Sequence, residues 1–294
     1  MFKNVVVGVD GRASGRDAIA LAMRLADPGA TLTLSHVIPG IYKPSHAVFY
    51  DMVEEDFAKA RALLERERER AGVEATLEVV QAPSPGQGLH ESAEAHDADL
   101  LVLGTCRHGI VGRAILGNDT RAAINGAPCA LAVAPLGYSE HPTPIETIGV
   151  GYDGSPESEG ALAAAKELAK RIHAEVRARQ VVSIPYSGLI GPSGVGMDEL
   201  IADADAHMRE LAGVKGEAVY GLVGEELATF GAECDLLIIG SRGYGPLKSM
   251  MLGSTAINLQ SRARSPLVIL PRGTRYANVP PGSDDTAAHQ PLPA

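Results

Sequence analysis

Residues 5–11, Val-Val-Val-Gly-Val-Asp-Gly, return as residues 148–154, Ile-Gly-Val-Gly-Tyr-Asp-Gly. Asp99-Leu-Leu-Val-Leu-Gly104 returns as Asp235-Leu-Leu-Ile-Ile-Gly240, Leu116-Gly117 as Leu252-Gly253, and Pro135 as Pro271. The offset is 143 at Asp10/Asp153 and 136 from Gly104/Gly240 onward, so the second copy has lost about seven residues in its middle. A period of roughly 135 residues is too long for a solenoid and fits duplication of a whole domain. The copies are expected at residues 1–138 and 145–273, joined by a stretch that carries Gly137, Pro142 and Pro144. The tail from 274 to 294 lacks apolar periodicity and is expected to be disordered.

Each copy alternates short apolar runs with helical patterns. In the first copy strands are expected at 5–9, 31–38, 76–80, 99–103 and 130–134. Helices are expected over Gly15–Ala26, Val53–Ala71 and Gln87–Ala95, with another from about Asn118. Ser14 and Asp17 form an S-x-x-D capping pattern, and Ser155-Pro156-Glu157 reads as an N-cap followed by a first-turn proline. Runs 100–103 and 236–239 are wholly apolar, as strands covered on both faces should be. This order predicts an α/β fold of two tandem doubly wound domains with mostly parallel sheets. Ligands in such sheets sit outside the carboxyl ends of the strands, where the strand order reverses. That directs attention to Asp10, Asp153 and the segments after Gly104 and Gly240.

The chain of 294 residues carries a net charge of −10, which disfavours nucleic acid and anionic membrane as partners. No apolar run approaches the ~20 residues of a spanning helix, and Met1-Phe-Lys-Asn has no signal-peptide anatomy. Cys106, Cys129 and Cys234 are odd in number and form no C-x-x-C, which suits a cytoplasmic protein. Cys129 and Cys234 flank apolar strands and are expected in the core. Cys106-Arg107-His108 has the ingredients of an activated thiolate, but adjacent residues need not face each other, and Cys106 reads as a plain loop cysteine. The histidines show no H-x-x-x-H or H-E-x-x-H pattern, so no protein-built metal site is expected.

The segment from Gly240 to Thr255 carries the strongest chemical signal. Gly240, Gly243, Gly245 and Gly253 let backbone amides approach a ligand, and Gly253-Ser254-Thr255 opens a helix whose free amides suit a phosphate. Lys248 does not follow Gly245 directly, so the segment is no Walker A loop. Arg242 could reach a phosphate, whereas Lys248 reads as surface charge.

The spacing Gly240-x2-Gly243-x9-Gly253-Ser254 resembles the G-2x-G-9x-G-[S/T] pattern of ATP-binding universal stress proteins. The Asp153-Gly-Ser-Pro-x-Ser start, the Asp235-Leu-Leu-Ile-Ile-Gly strand and the Pro266-Leu-Val-Ile-Leu-Pro strand are similar to that family too. The resemblance implies five-stranded, Rossmann-like domains of the adenine nucleotide alpha-hydrolase type, binding ATP or another adenine nucleotide. Carried onto this sequence, it implies Asp153 at the adenosine, main-chain groups of Val181 at the adenine, and Gly240 beside the ribose. Gly243, Gly253, Ser254 and Thr255 would hold the phosphates, and Mg2+ would enter through those phosphates. Family members typically dimerise through the last strand, so the tandem chain resembles an intramolecular pseudo-dimer, with a further homo-dimer open.

The first copy departs from this pattern. It keeps Asp10, Val37, Gly104 and Gly117, but Arg107 stands at the position of Gly243 and Asn118 at that of Ser254. The leading expectation is therefore a nucleotide-dependent stress-response regulator that binds ATP in the second copy and signals to a protein partner. A slow ATPase or phosphotransferase and a ligand-free scaffold are the alternatives.

Overall fold

In the computed structural model, residues 1–40, 47–105, 126–183, 197–241 and 265–271 are described. The first half contains β1 (Asn4–Gly8), α1 (Ala13–Leu25), β2 (Thr31–Pro39), α2 (Ala47–Ala71), β3 (Thr76–Ala82), α3 (Pro85–Ala95), β4 (Leu100–Gly104) and β5 (Ala130–Ala134). The second half contains β6 (Thr147–Gly151), α4 (Pro156–Ile172), β7 (Glu175–Val182), α5 (Met197–Arg209), β8 (Lys215–Tyr220), α6 (Val223–Ala232), β9 (Leu236–Gly240) and β10 (Leu267–Leu270). The helix expected from Asn118 and the tail from 274 lie outside the described residues.

The ten strands form one sheet in the order β3-β2-β1-β4-β5-β10-β9-β6-β7-β8. Within each half the pairs are parallel, and the doubly wound order reverses between β1 and β4 and again between β6 and β9. The halves meet where β5 and β10 pair antiparallel, Val133 opposite Leu267 and Leu131 opposite Ile269. Among the described residues, no helix is long and apolar enough to cross a membrane.

The period-2 geometry of a strand explains the unbroken apolar runs. Leu100, Val102, Leu236 and Ile238 enter one buried layer under α1, α2, α4 and α5. Leu101, Leu103, Leu237 and Ile239 enter the opposite layer under α3 and α6. Each layer holds residues of both halves, so neither face of the sheet is divided at the β5–β10 seam.

Polar contacts reinforce the junction. Arg171, near the end of α4, reaches back to the first half, with Nη1 on the Asp27 carboxylate and Nη2 donating to the Leu25 carbonyl at 2.8 Å. The Met1 ammonium also contacts Asp27. The joining stretch is held by Asp17, which is fully buried and accepts hydrogen bonds from the Gly137 and Ser139 amides, both at 2.8 Å, and from Ser139 Oγ at 2.6 Å.

This role of Asp17 corrects the capping pattern read from the sequence. The N-cap of α1 is Arg12, which makes no side-chain cap bond, and Ser14 already lies inside the helix. Gly11, at φ +73°, turns the chain early enough for α1 to begin at Ala13. Asp10 then supplies the acceptor, taking hydrogen bonds from the Arg12 amide at 3.0 Å, the Gly15 amide at 3.2 Å and Ser14 Oγ at 2.8 Å. The second-half cap is as read: Ser155 Oγ accepts from the Ser158 amide at 3.3 Å, with Pro156 opening α4. Ser84-Pro85 repeats that device at α3, where Ser84 accepts from the Gln87 amide.

Candidate functional site

The carboxyl edge of the second half brings three of the expected residues together. β6 lies between β9 and β7, so Gly240 ends one neighbouring strand, Asp153 follows the central one, and Val181 stands near the end of the other. Two strand spacings separate the outer members, roughly 10 Å. Gly240 and Asp153 flank the point where the strand order reverses.

The turn after β6 is built around Asp153. Gly154, at φ +76°, helps the chain pass from the end of β6 at Gly151 to the start of α4 at Pro156. The Asp153 carboxylate accepts from the Ser155 amide at 3.1 Å and from Ser155 Oγ, while the Asp153 amide donates to Ser158 Oγ at 3.3 Å. The residue itself remains exposed, with its carboxylate oriented by its own loop.

Strand parity fixes the direction of the main-chain groups of Val181. The Arg179 carbonyl accepts from the Tyr152 amide on the β6 side, and the Val182 carbonyl accepts from the Gly221 amide on the β8 side. Val181 shares the parity of Arg179, so its N–H and C=O face the β6 side. β6 ends opposite Arg179, at Gly151, and pairs no residue with Val181.

β7 is anchored beneath this edge. Arg179, buried, donates to Glu217 from Nε at 2.9 Å and Nη2 at 2.6 Å, and Nη2 also reaches Glu233 at 3.2 Å. Its guanidinium lies over the Phe230 ring, 4.4 Å from the centroid. The network ties β7, β8 and the end of α6 together. An arginine inside a strand gave no signal in the sequence, because its partners are distant in the chain.

Gly240 has a structural duty not anticipated from the motif. A Cβ there would stand 2.5 Å from the Glu157 carbonyl oxygen, so the first turn of α4 sits against the end of β9. Gly104 meets α1 more closely, with a Cβ position 1.9 Å from the Ser14 carbonyl oxygen. The residues that follow are also matched. Ser241 and Thr105 are buried, their amides bond to the last strand of their half, and their hydroxyls find no partner among the described residues.

In the first half Asp10, Val37 and Gly104 occupy the equivalent edge around β1. The surroundings differ. Gly88 of α3 packs directly on Val37, where a Cβ would approach Val37 Cγ1 to 2.6 Å. Asp10 is half-buried and committed to the three local donors that cap α1. Gly117, Arg107, Asn118 and Cys106, and in the second half Arg242, Gly243, Gly253, Ser254 and Thr255, lie outside the described residues.

The other two cysteines are buried, as expected. Burial pushes the Cys129 thiol up to about 12, helped by the Asp99 charge, and the Cys234 thiol up to about 11.

Comparison with known proteins gives a consistent picture. The model of the universal stress protein family matches residues 1–135 and again 144–271. A universal stress protein of Mycobacterium bovis is 27% identical over 185 residues, spanning 60% of this chain and 62% of its own length. One from Mycolicibacterium smegmatis is 25% identical over 294 residues, covering 90% of this chain and 96% of the relative. The crystal structure of a universal stress protein from Archaeoglobus fulgidus superimposes with TM-score 0.64 at 17% identity, covering 92% of this chain and 99% of that one, a likeness of fold.

Proposed function

The chain belongs to the universal stress protein family, and we propose that its second half binds ATP or another adenine nucleotide as a regulatory ligand. The observation that carries this reading is the edge formed by Gly240, Asp153 and Val181, at the reversal of strand order. The directed main-chain donor and acceptor of Val181 suit the edge of an adenine, and the exposed Asp153 carboxylate suits the hydroxyls of a ribose. The buried hydroxyl of Ser241, which has no partner among the described residues, adds a polar group next to Gly240. Arg242, Gly243, Gly253, Ser254 and Thr255 would take the phosphates, with Mg2+ carried on the phosphate oxygens. A nucleotide bound there supplies charge and contacts that distinguish a loaded from an empty carboxyl edge; a protein partner in the cytoplasm would read that difference.

In the first half, the commitment of Asp10 to the α1 cap, the packing of Gly88 on Val37 and the arginine at 107 all favour a half that contributes scaffold. Calorimetric titration with ATP tests the asymmetry. One site per chain, lost on Gly243→Arg, is the expected result. No measurable heat, two equal sites, or indifference to Gly243→Arg would each overturn the reading.

A further inference from the structure

At the other end of the second half, where β7 and β8 begin, a groove of about 640 Å³ opens between α4 and the turn from Glu210 to Lys215. We propose that it is a second ligand site, taking a small organic anion with an apolar body. Its volume falls within the range of small-molecule sites. It stands at the amino ends of the strands, so it does not depend on nucleotide binding at the carboxyl ends.

The lining is divided in the way such a ligand requires. Ala169 and Val176, both buried, and the half-buried Leu211 and Val214 supply apolar surface. Lys166, Lys170, Arg209 and Lys215 bring positive charge, against Glu175 and Glu210, in a chain whose net charge is −10. Two of these cations are already matched: Lys215 pairs with Glu175 at 2.7 Å and Arg209 with Asp205 at 2.5 Å. Lys166 and Lys170 have no carboxylate partner among the described residues. They lie one turn apart on α4, an arrangement in which like charges repel and weaken the helix. A carboxylate or phosphate placed between them would relieve that repulsion and make charge-assisted hydrogen bonds to both.

The duplication supplies an internal control. The register that matches buried Leu25 with Leu168 puts Met23 at the place of Lys166 and Asp27 at that of Lys170. The strand pairing likewise matches Thr76 with Lys215. The same order of strands and helices therefore forms without these three lysines, with α1 ending at Leu25, two residues before Asp27, while α4 runs past Lys170 to Ile172. The shape and the acidity of the rest of the chain favour a small anion over a polyanionic chain.

The test uses 1-naphthyl phosphate as probe, followed by its fluorescence and by backbone amide shifts, with and without ATP. Inorganic phosphate and naphthalenemethanol serve as head-only and body-only controls. The probe is expected to bind more tightly than either control and to shift the amides of Ala169 and Leu211–Val214 whether or not ATP is present. Lys166→Met with Lys170→Gln should weaken binding by about tenfold or more, a loss of ~1.4 kcal/mol or greater. Lys166→Arg with Lys170→Arg should stay within about threefold of the parent. Circular dichroism checks that each variant is folded. Absence of binding to the parent chain, equal affinity in the Met/Gln variant, or shifts confined to the Asp153 edge would overturn the proposal.

Discussion

Replacing Gly104 and Gly240 separately with alanine turns the duplication into a quantitative experiment. Both glycines end a central strand beneath the first turn of a helix, and both substitutions add one methyl group. At Gly104 the methyl would lie 1.9 Å from the Ser14 carbonyl oxygen and 2.5 Å from its carbon; at Gly240 the nearest atoms of Glu157 are at 2.5 and 2.6 Å. Real Cβ contacts essentially never fall under 3.0 Å, so α1 must retreat by about 1 Å and α4 by about half that. The obstacle is backbone in both cases, so no side-chain rotation can relieve it. Overpacking typically costs about 1–3 kcal/mol, and the larger retreat places Gly104→Ala at or above the top of that range. Gly240→Ala belongs near the middle. With ~2–4 °C of melting temperature per kcal/mol in chains of comparable size, the two variants should separate by several degrees in a calorimetric scan. ATP affinity should fall in Gly240→Ala, because the retreat of α4 drags the Asp153 turn with it, and should hardly change in Gly104→Ala. Equal melting temperatures, or a more damaging Gly240→Ala, would refute the packing argument.

Asp17→Ala strips the acceptor from two amides and a hydroxyl of the joining stretch and should cost about 2–4 kcal/mol, read by urea denaturation, while a surface change such as Glu91→Ala should cost little. Burial works to raise the Asp27 carboxyl, but the Met1 ammonium and the Arg171 guanidinium prevail and hold it below its usual range. A depressed carboxyl contributes stability that is present above its unfolded pKa and is lost as the pH falls through its folded one. Arg171→Ala should therefore lower stability at pH 7, and the difference from the parent should shrink at pH values below the ordinary aspartate range. Cys129 and Cys234, with thiols raised to about 12 and 11, should resist a disulfide reagent at pH 8 until denaturant is added; rapid labelling of either would contradict their burial.

The strands were legible because both faces of the sheet are covered, and runs such as Leu236–Ile239 record that directly. Val181 was singled out only by analogy; the direction of its main-chain groups depends on strand parity and on where β6 stops, which composition does not reveal. Ser14-x-x-Asp17 misled because the motif describes local spacing, whereas Asp17 is claimed by Gly137 and Ser139, more than a hundred residues away. Arg179 escaped for the same reason. Its partners come from two other stretches of chain, Glu217 from β8 and Phe230 and Glu233 from the end of α6, and without them it reads as a polar interruption of a strand. Gly240 was found for its ligand spacing, yet the structure shows a helix turn occupying the place of its missing side chain.

The antiparallel joint between β5 and β10 has a genetic consequence. Two separate chains meeting about a symmetry axis would carry every substitution twice, and a change harmful to one pocket would harm both. Here the two edges belong to one polypeptide, so a substitution is made once and felt on one side. Arg107 can stand where the other half has Gly243, and Lys166 and Lys170 can lie on α4 where the first half has Met23 on α1 and Asp27 just beyond it. The seam that welds the halves into one sheet is also what releases them from having to remain alike.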